Sequence, residues 1–394
     1  MRNLVVKFIV PNSCYYRIKT VYRKKGDIMS IQTKGREQLI RLLNEWYEEI
    51  RLYHVEKSNQ LKMKIEENLK EIETDQYLSL YYSLLDFRCK VLVEGINITK
   101  ESFEKVEELS GIKDQYLFLA YYYHFFKAIH STILSNYNDA KAHYDKAEEL
   151  LIYIPDEIEK AEFEYRMASF YYHSYQPFEG IQHVLKAKEM FSNHIGYEIN
   201  HALCDNLYSI ACIDLREFGR AEECLNKVID VLKKNDEEHL LIKVRYNLGW
   251  LYHIEDLYEL AIRHSSEIVN KIPNHYKALF VLARAYYKLG DIETAKQHIE
   301  QGMKSAIQSG NAEYKHRFAV INELVTELPK ARLEQVVTDA ISYFEKEGMW
   351  DCVKEYAEML AIQFYETDDH VKASKYFYIS NNADKKHLRK GALK

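Results

Sequence analysis

Sixteen histidines and six cysteines are the side chains in this 394-residue chain best suited to metal, redox or nucleophilic chemistry, but their spacing does not suit any of the three. Cys14, Cys89, Cys204, Cys212, Cys224 and Cys352 lie far apart, and the closest pair has seven residues between. That leaves no CxxC metal or redox spacing, and the six read as reduced cytosolic thiols. The histidines form no HExxH or His-x-His group, and His124 and His130 do not fall on adjacent helix turns, so no metal site is expected. No GxGxxG, GxxxxGK[ST] or GxSxG occurs either, which removes support for nucleotide-dependent chemistry and for a hydrolase nucleophile elbow. Such residues describe an interaction protein, in which any catalysis would use a partner's reactive centre. One further polar pair, Asp75-Gln76, falls between two helical patterns, where Asp75 suits a cap or turn.

Composition says what kind of scaffold must carry these residues. Five prolines and 13 glycines are few against the roughly 20 and 28 that average usage gives, which favours long helices over turn-rich sheet. Hydrophobic residues at 47%, with 33 tyrosines and 16 phenylalanines, bury enough surface to exclude wholesale disorder. The net charge of −6 leaves no overall field for nucleic acid. No run of 18 apolar residues occurs; the richest, Leu117 to Phe126, contains His124, so no membrane span is expected.

Residues 1–28 differ from the rest, with seven basic side chains against one acidic. Lys7 interrupts their apolar stretch and no cleavage site follows, so the segment fails as a signal peptide and reads as a non-native or disordered extension before a natural start at Met29. Residues 29–95 carry three helical patterns: Leu39, Leu42, Leu43, Trp46 and Ile50; Leu61, Ile65, Leu69 and Ile72; and Leu80, Leu84, Phe87 and Val91. Ten basic and twelve acidic side chains there disfavour a DNA-binding helix-turn-helix. Residues 96–114 look like a linker with one short helix.

From residue 115 to 394 the chain repeats. Small residues are followed at +3 by an aromatic or similar residue, at +12 by alanine, and at +16 and +19 by packing positions, which is tetratricopeptide spacing. The clearest copies are Ala283, Tyr286, Ala295, Ile299, Gly302; Gly249, Tyr252, Ala261; and Ala168, Tyr171, Gly180, Val184, Ala187. The +12 residues fall at 140, 180, 221, 261, 295 and 373, with one degenerate copy between the last two, so about seven helical hairpins are expected. Stacked hairpins make a superhelix with a concave groove, a surface that binds segments of other chains. The fold class is therefore all-α: an N-terminal three-helix bundle followed by a tetratricopeptide-repeat superhelix.

Four stretches in order resemble the Rap family of response regulator aspartate phosphatases: Asn44-Glu45-Trp46-Tyr47, Asp75-Gln76, Tyr81-Tyr82-Ser83-Leu84-Leu85-Asp86-Phe87-Arg88, and Asp156 to Phe163. The resemblance runs from about Met29 to the C-terminus. It implies a cytoplasmic regulator of two-component signalling that either promotes hydrolysis of the aspartyl phosphate on a sporulation-type response regulator or sequesters a DNA-binding regulator of the competence type without catalysis. It also implies inhibition by a secreted and re-imported pentapeptide of the Phr type. A peptide-gated transcription factor of the wider superfamily is weakened by the missing helix-turn-helix.

For the phosphatase reading, the resemblance assigns catalysis to Gln76, with Asp75 beside it. A carboxamide can orient water for in-line attack on an acyl phosphate without titrating. The chain needs no cofactor of its own, and Mg²⁺ is expected on the partner response regulator. For the peptide, the resemblance implies Asp214, against a basic residue, and Asn247, against the peptide backbone. Counting the first small residue of each repeat as position 8, similarity to tetratricopeptide domains turns positions 2, 5, 6, 9, 12 and 13 into the groove. That count adds Tyr172, His173, Trp250, Arg284, Tyr287 and Lys288. Tyr175-Gln176-Pro177-Phe178 departs from the family by placing proline where relatives usually carry threonine.

Overall fold

The structure, a computed structural model, describes residues 28–174, 176–326 and 330–390. The expectations for residues 1–27 and for Tyr175 lie outside the described residues. Every regular element among them is helical. The N-terminal region holds α1 (Ile28–Arg51), α2 (Val55–Glu66), α3 (Leu69–Thr74) and α4 (Gln76–Glu94). The second sequence pattern is thus split, because the chain turns at Glu67 and Asn68 before Leu69. Leu43, Trp46, Ile65, Leu80 and Leu84 are buried where these helices meet, and the indole N–H of Trp46 donates to Ser58 Oγ at 2.9 Å. Between residues 95 and 115, three short 3₁₀ turns surround α5 (Glu104–Leu109).

Seven helical hairpins follow: α6 (Leu117–Ile133) with α7 (Tyr137–Leu151); α8 (Glu157–His173) with α9 (Pro177–Ser192); α10 (Glu198–Asp214) with α11 (Phe218–Lys234); α12 (Glu238–Ile254) with α13 (Tyr258–Lys271); α14 (Tyr276–Lys288) with α15 (Ile292–Gln308); α16 (Ala312–Val325) with α17 (Lys330–Glu347); and α18 (Trp350–Tyr365) with α19 (His370–Lys390). Two helices approach to 8–10 Å only where the crossing side chains are short. Gly302 shows the constraint: a Cβ there would lie 2.1 Å from Cζ of Phe318. Pro177 opens α9 at its first turn, where its fixed φ suits a helix and no N–H is needed.

The turns inside the hairpins share one device. Ser135, Arg216, Asp256, Gly290 and Asp368 all have φ between 59° and 82°. In each case the following N–H closes back on the helix, as in Asn136 N to Ser131 O at 2.8 Å and Glu217 N to Cys212 O at 2.8 Å. This is the Schellman closure, usually glycine-led. Four of the five positions here carry a side chain instead.

The superhelix closes on itself. The turn of the first hairpin meets the sixth hairpin, where the buried Glu313 accepts from Tyr137 Oη at 2.9 Å, Ser135 Oγ at 3.1 Å and Arg317 Nε at 2.8 Å. Tyr343 Oη donates to Ser135 O at 3.2 Å, and Asn311 Nδ2 to Ile133 O at 3.2 Å. A closed ring of repeats encloses its concave face rather than leaving it an open trough.

Candidate functional site: a groove and an exposed turn

The first helices of the hairpins face inward, and between them runs a cavity of about 280 Å³. Asp214, Asn247, Tyr172, His173 and Trp250 all line it. Arg284, Tyr287 and Lys288 do not. Arg284 instead pairs with Glu355 of α18 at 3.0 Å, because the last hairpin curls across the ring and takes up that guanidinium. These three are not among the residues that line this cavity.

The cavity also contains residues the family resemblance did not point to. Asn247 Nδ2 donates to Asn206 Oδ1 at 2.8 Å, and both amides are about 95% buried. Each keeps further donor and acceptor capacity for an extended backbone. Tyr246 and Tyr314 hydroxyls lie 3.1 Å apart across the wall, and Lys243, Lys277, Arg166 and Arg317 add positive charge. The positional count that added Tyr172 and Trp250 would also have found Asn206, Tyr246, Lys243 and Lys277, at positions 5, 5, 2 and 2. Asp214 and Lys243 are solvent-accessible and Lys277 partly so, yet all three line the cavity with protein around it. This enclosure first, and the Asp351 carboxylate second, push the Asp214 carboxyl above the ordinary carboxylate range. Enclosure, then Arg166 and Arg88, push the Lys243 ammonium down to about 8.

The N-terminal helices form part of this site, since Val91 and Gly95 reach the cavity wall. They are held by a buried ionic seam. Arg51 Nη1 donates to Asp156 Oδ2 at 2.9 Å and to Glu159 Oε2 at 3.2 Å, and its carbonyl accepts from Asn200 Nδ2 at 3.0 Å. Tyr47 and Tyr121 hydroxyls donate to Glu159 Oε1 at 3.1 and 2.9 Å. One step along α8, Glu162 Oε1 takes both Arg88 Nη2 at 2.9 Å and Arg166 Nε at 2.7 Å. Two of the stretches that carry the family resemblance, around Arg88 and from Asp156 to Phe163, are thus the two sides of one joint. Arg166 belongs to both joint and groove.

Glu159 shares a single guanidinium with Asp156. Burial raises its carboxyl from the ordinary 4.5 to about 7, although Arg51 opposes the shift. Between those values the folded state binds the extra proton, so stability falls as pH rises through the window and levels off above it. The limiting slope is about 1.4 kcal/mol per pH unit. Urea denaturation between pH 5 and 8 should show this fall in wild type and a flatter profile in Glu159→Gln; identical profiles would refute it.

At the other end of the bundle, Asp75 caps α4: its Oδ1 accepts from Tyr77 N at 2.9 Å and Leu78 N at 3.3 Å, while Oδ2 accepts from Arg36 Nε at 2.6 Å. Both oxygens are engaged in holding the start of α4 and Arg36. Gln76 is the first residue of α4 and is exposed. Two more histidines meet where sequence spacing showed nothing, with His124 and His143 Nδ1 atoms 2.9 Å apart, but no cluster of three metal-ligating side chains occurs among the described residues. No helix among them is long and apolar enough to cross a membrane.

Comparison with known proteins agrees with this layout. The family described as response regulator aspartate phosphatase H, N terminal, matches residues 33–94, and a tetratricopeptide repeat matches residues 276–306. Among curated relatives, regulatory protein RapF of Bacillus subtilis is 27% identical over 357 residues, 85% of this chain and 91% of that protein. Response regulator aspartate phosphatase A of the same organism is 26% identical over 361 residues, 89% and 94% of the two chains. A crystal structure of a Rap protein complexed with competence and sporulation factor superposes with a TM-score of 0.74 at 24% identity, over 90% of this chain and 99% of that one. The apo form of RapI gives 0.50 at 26% identity, over 90% and 100%. The matched N-terminal region and relatives aligned over most of both chains make this chain similar, along nearly its whole length, to the Rap family of tetratricopeptide-repeat regulators.

Proposed function

We propose that this protein controls a response regulator in the cytoplasm, that a short peptide in the groove governs it, and that it hydrolyses the regulator's aspartyl phosphate through Gln76. The observation that carries the reading is the exposed Gln76 at the start of α4, pinned by the Asp75 cap inside the matched N-terminal region. The first N–H groups of α4 give that turn a partial positive charge, and Arg36 stands beside Asp75, a setting that tolerates an approaching phosphoryl anion. The carboxamide would align water, while the regulator supplies the aspartyl phosphate and its bound Mg²⁺. Relatives named both as phosphatases and as regulatory proteins favour a second reading, in which the same face holds a DNA-binding regulator without chemistry.

Peptide control would act by population shift. The seam shown here is one state, with the N-terminal helices packed on the repeats, and a ligand that favours it changes which surface the regulator meets. Loss of phosphate from a ³²P-labelled sporulation-type receiver domain tests the catalytic reading. Wild type should accelerate it, and Gln76→Ala should slow it at least about 100-fold while still co-eluting with the receiver. Stable label with both proteins, despite complex formation, would leave sequestration as the function.

A further inference from the structure

One arginine brackets the exposed glutamine at the start of α4. Arg36, on α1, donates from Nε to Asp75 Oδ2 at 2.6 Å, and its guanidinium carbon lies 5.5 Å from the centroid of the Tyr77 ring. Asp75 and Tyr77 are the two sequence neighbours of Gln76, so the guanidinium spans the residues on either side of the carboxamide. Tyr77 is steadied in turn by an edge contact with Tyr116, their centroids 5.0 Å apart.

Only one edge of that guanidinium is used. Of its five N–H groups the one on Nε goes to Asp75, and among the described residues Nη1 and Nη2 donate to no other residue. The Arg36 side chain is 46% exposed, whereas those of Arg51 and Arg88 are buried in the seam. The Asp75 carboxylate is shared between Arg36 and two backbone N–H groups, which leaves the outer edge of the guanidinium positive. A guanidinium held by Nε and by a ring, with its other N–H groups in solvent, presents the fork that grips phosphoryl oxygens in pairs.

We propose that Arg36 binds the phosphoryl oxygens of the regulator's aspartyl phosphate through Nη1 and Nη2 while Gln76 faces the attacking water. The proposal rests on the phosphatase reading above and adds to it a second residue with its own role. In hydrolysis the water oxygen bonds to phosphorus, the P–O bond to the aspartyl carboxylate breaks with its electron pair passing to that carboxylate, and the water protons go to inorganic phosphate and solvent. Charge spread over the equatorial phosphoryl oxygens is what a fixed guanidinium stabilises, an effect of about 10³ to 10⁵ in rate where an arginine meets a transferring phosphoryl group. Asp75 ties the two residues together, capping the helix turn that carries Gln76 and holding Arg36.

The test separates recognition of the phosphoryl group from docking. The full chain is titrated with a sporulation-type receiver domain, bare and loaded with beryllofluoride, which stands in for the aspartyl phosphate, and single-turnover loss of ³²P is followed on the phosphorylated receiver. Wild type should bind the loaded receiver at least about tenfold more tightly than the bare one. Arg36→Gln, checked for folding by its thermal melt, should bind both forms with the affinity wild type has for the bare receiver, and should release label at least about 100-fold more slowly. Arg36→Lys should recover part of the preference and of the rate, because an ammonium keeps the charge without the fork. An Arg36→Gln variant that keeps the full preference, or that loses both receiver forms alike, overturns the phosphoryl contact; hydrolysis by wild type then leaves the Gln76 reading standing. Equal binding of the two forms by wild type overturns the contact as well. A wild type that prefers the loaded receiver through Arg36 but leaves the label stable keeps the contact and overturns hydrolysis through Gln76. Binding of neither form overturns the receiver reading, and the contact with it.

Discussion

Replacing Arg51 with alanine is expected to destabilise the protein by about 3–5 kcal/mol, the cost of leaving buried carboxylates without their counter-ion. The guanidinium is 1% exposed and is the shared partner of Asp156 and Glu159, 105 and 108 residues away. Its loss strands both acids in a joint that also holds two tyrosine hydroxyls. The effect should concentrate at the joint: urea unfolding at pH 8 should report the loss, and limited proteolysis should cut first between α4 and α6. Combining Arg51→Met with Glu159→Gln should recover part of the stability, because an apolar stem beside a neutral amide carries less uncompensated charge. A cost under about 1 kcal/mol for Arg51→Ala would show that the N-terminal helices are not held by this seam.

Asp214→Asn should weaken arginine-containing pentapeptides by about 100-fold, within the 1.5–3 kcal/mol range for hydrogen bonds to charged groups. The substitution keeps size and one acceptor and removes only the charge. Calorimetry with arginine and citrulline versions of one retained peptide separates charge from shape: the arginine form should suffer and the citrulline form should not. Enclosure and Asp351 raise the Asp214 carboxyl, so an arriving arginine must also drive off a proton when the pH is below that raised value. Wild-type affinity for the arginine peptide should therefore fall as the pH is lowered, while the Asn variant stays flat. Undiminished binding by the variant would move the cation's partner elsewhere in the groove.

Much of this site was legible because repeat spacing is a local property. Ala168, Gly249 and Ala283 mark helix crossings, and counting from them added Tyr172, His173 and Trp250, which line the cavity together with Asp214 and Asn247, the pair the family resemblance implied. Arg284, Tyr287 and Lys288 fall outside that lining. Their position on the helix was read, but the wall there depends on where α18 arrives, and Glu355 meets Arg284 from 71 residues away. Asn206 holds a groove position by the same count, but only the fold shows its amide paired with that of Asn247, 2.8 Å away and 41 residues on in the sequence.

By itself, the sequence determined that the chain is helical, where its hairpins lie and which side of each helix faces the groove. Those follow from periodicity, small residues at crossings and caps such as Asp75 and Asp156, all of which act within a few turns. Only the tertiary structure decided that Ser135, Arg216, Asp256 and Asp368 close their turns without glycine, that Glu313 locks the sixth hairpin to the first, and that Arg51 and Arg88 dock the N-terminal helices onto α8. Each hairpin contacts mainly its neighbours, and a small rotation per repeat accumulates along the array. Which distant residues finally meet is set by that sum, and no single stretch of sequence contains it.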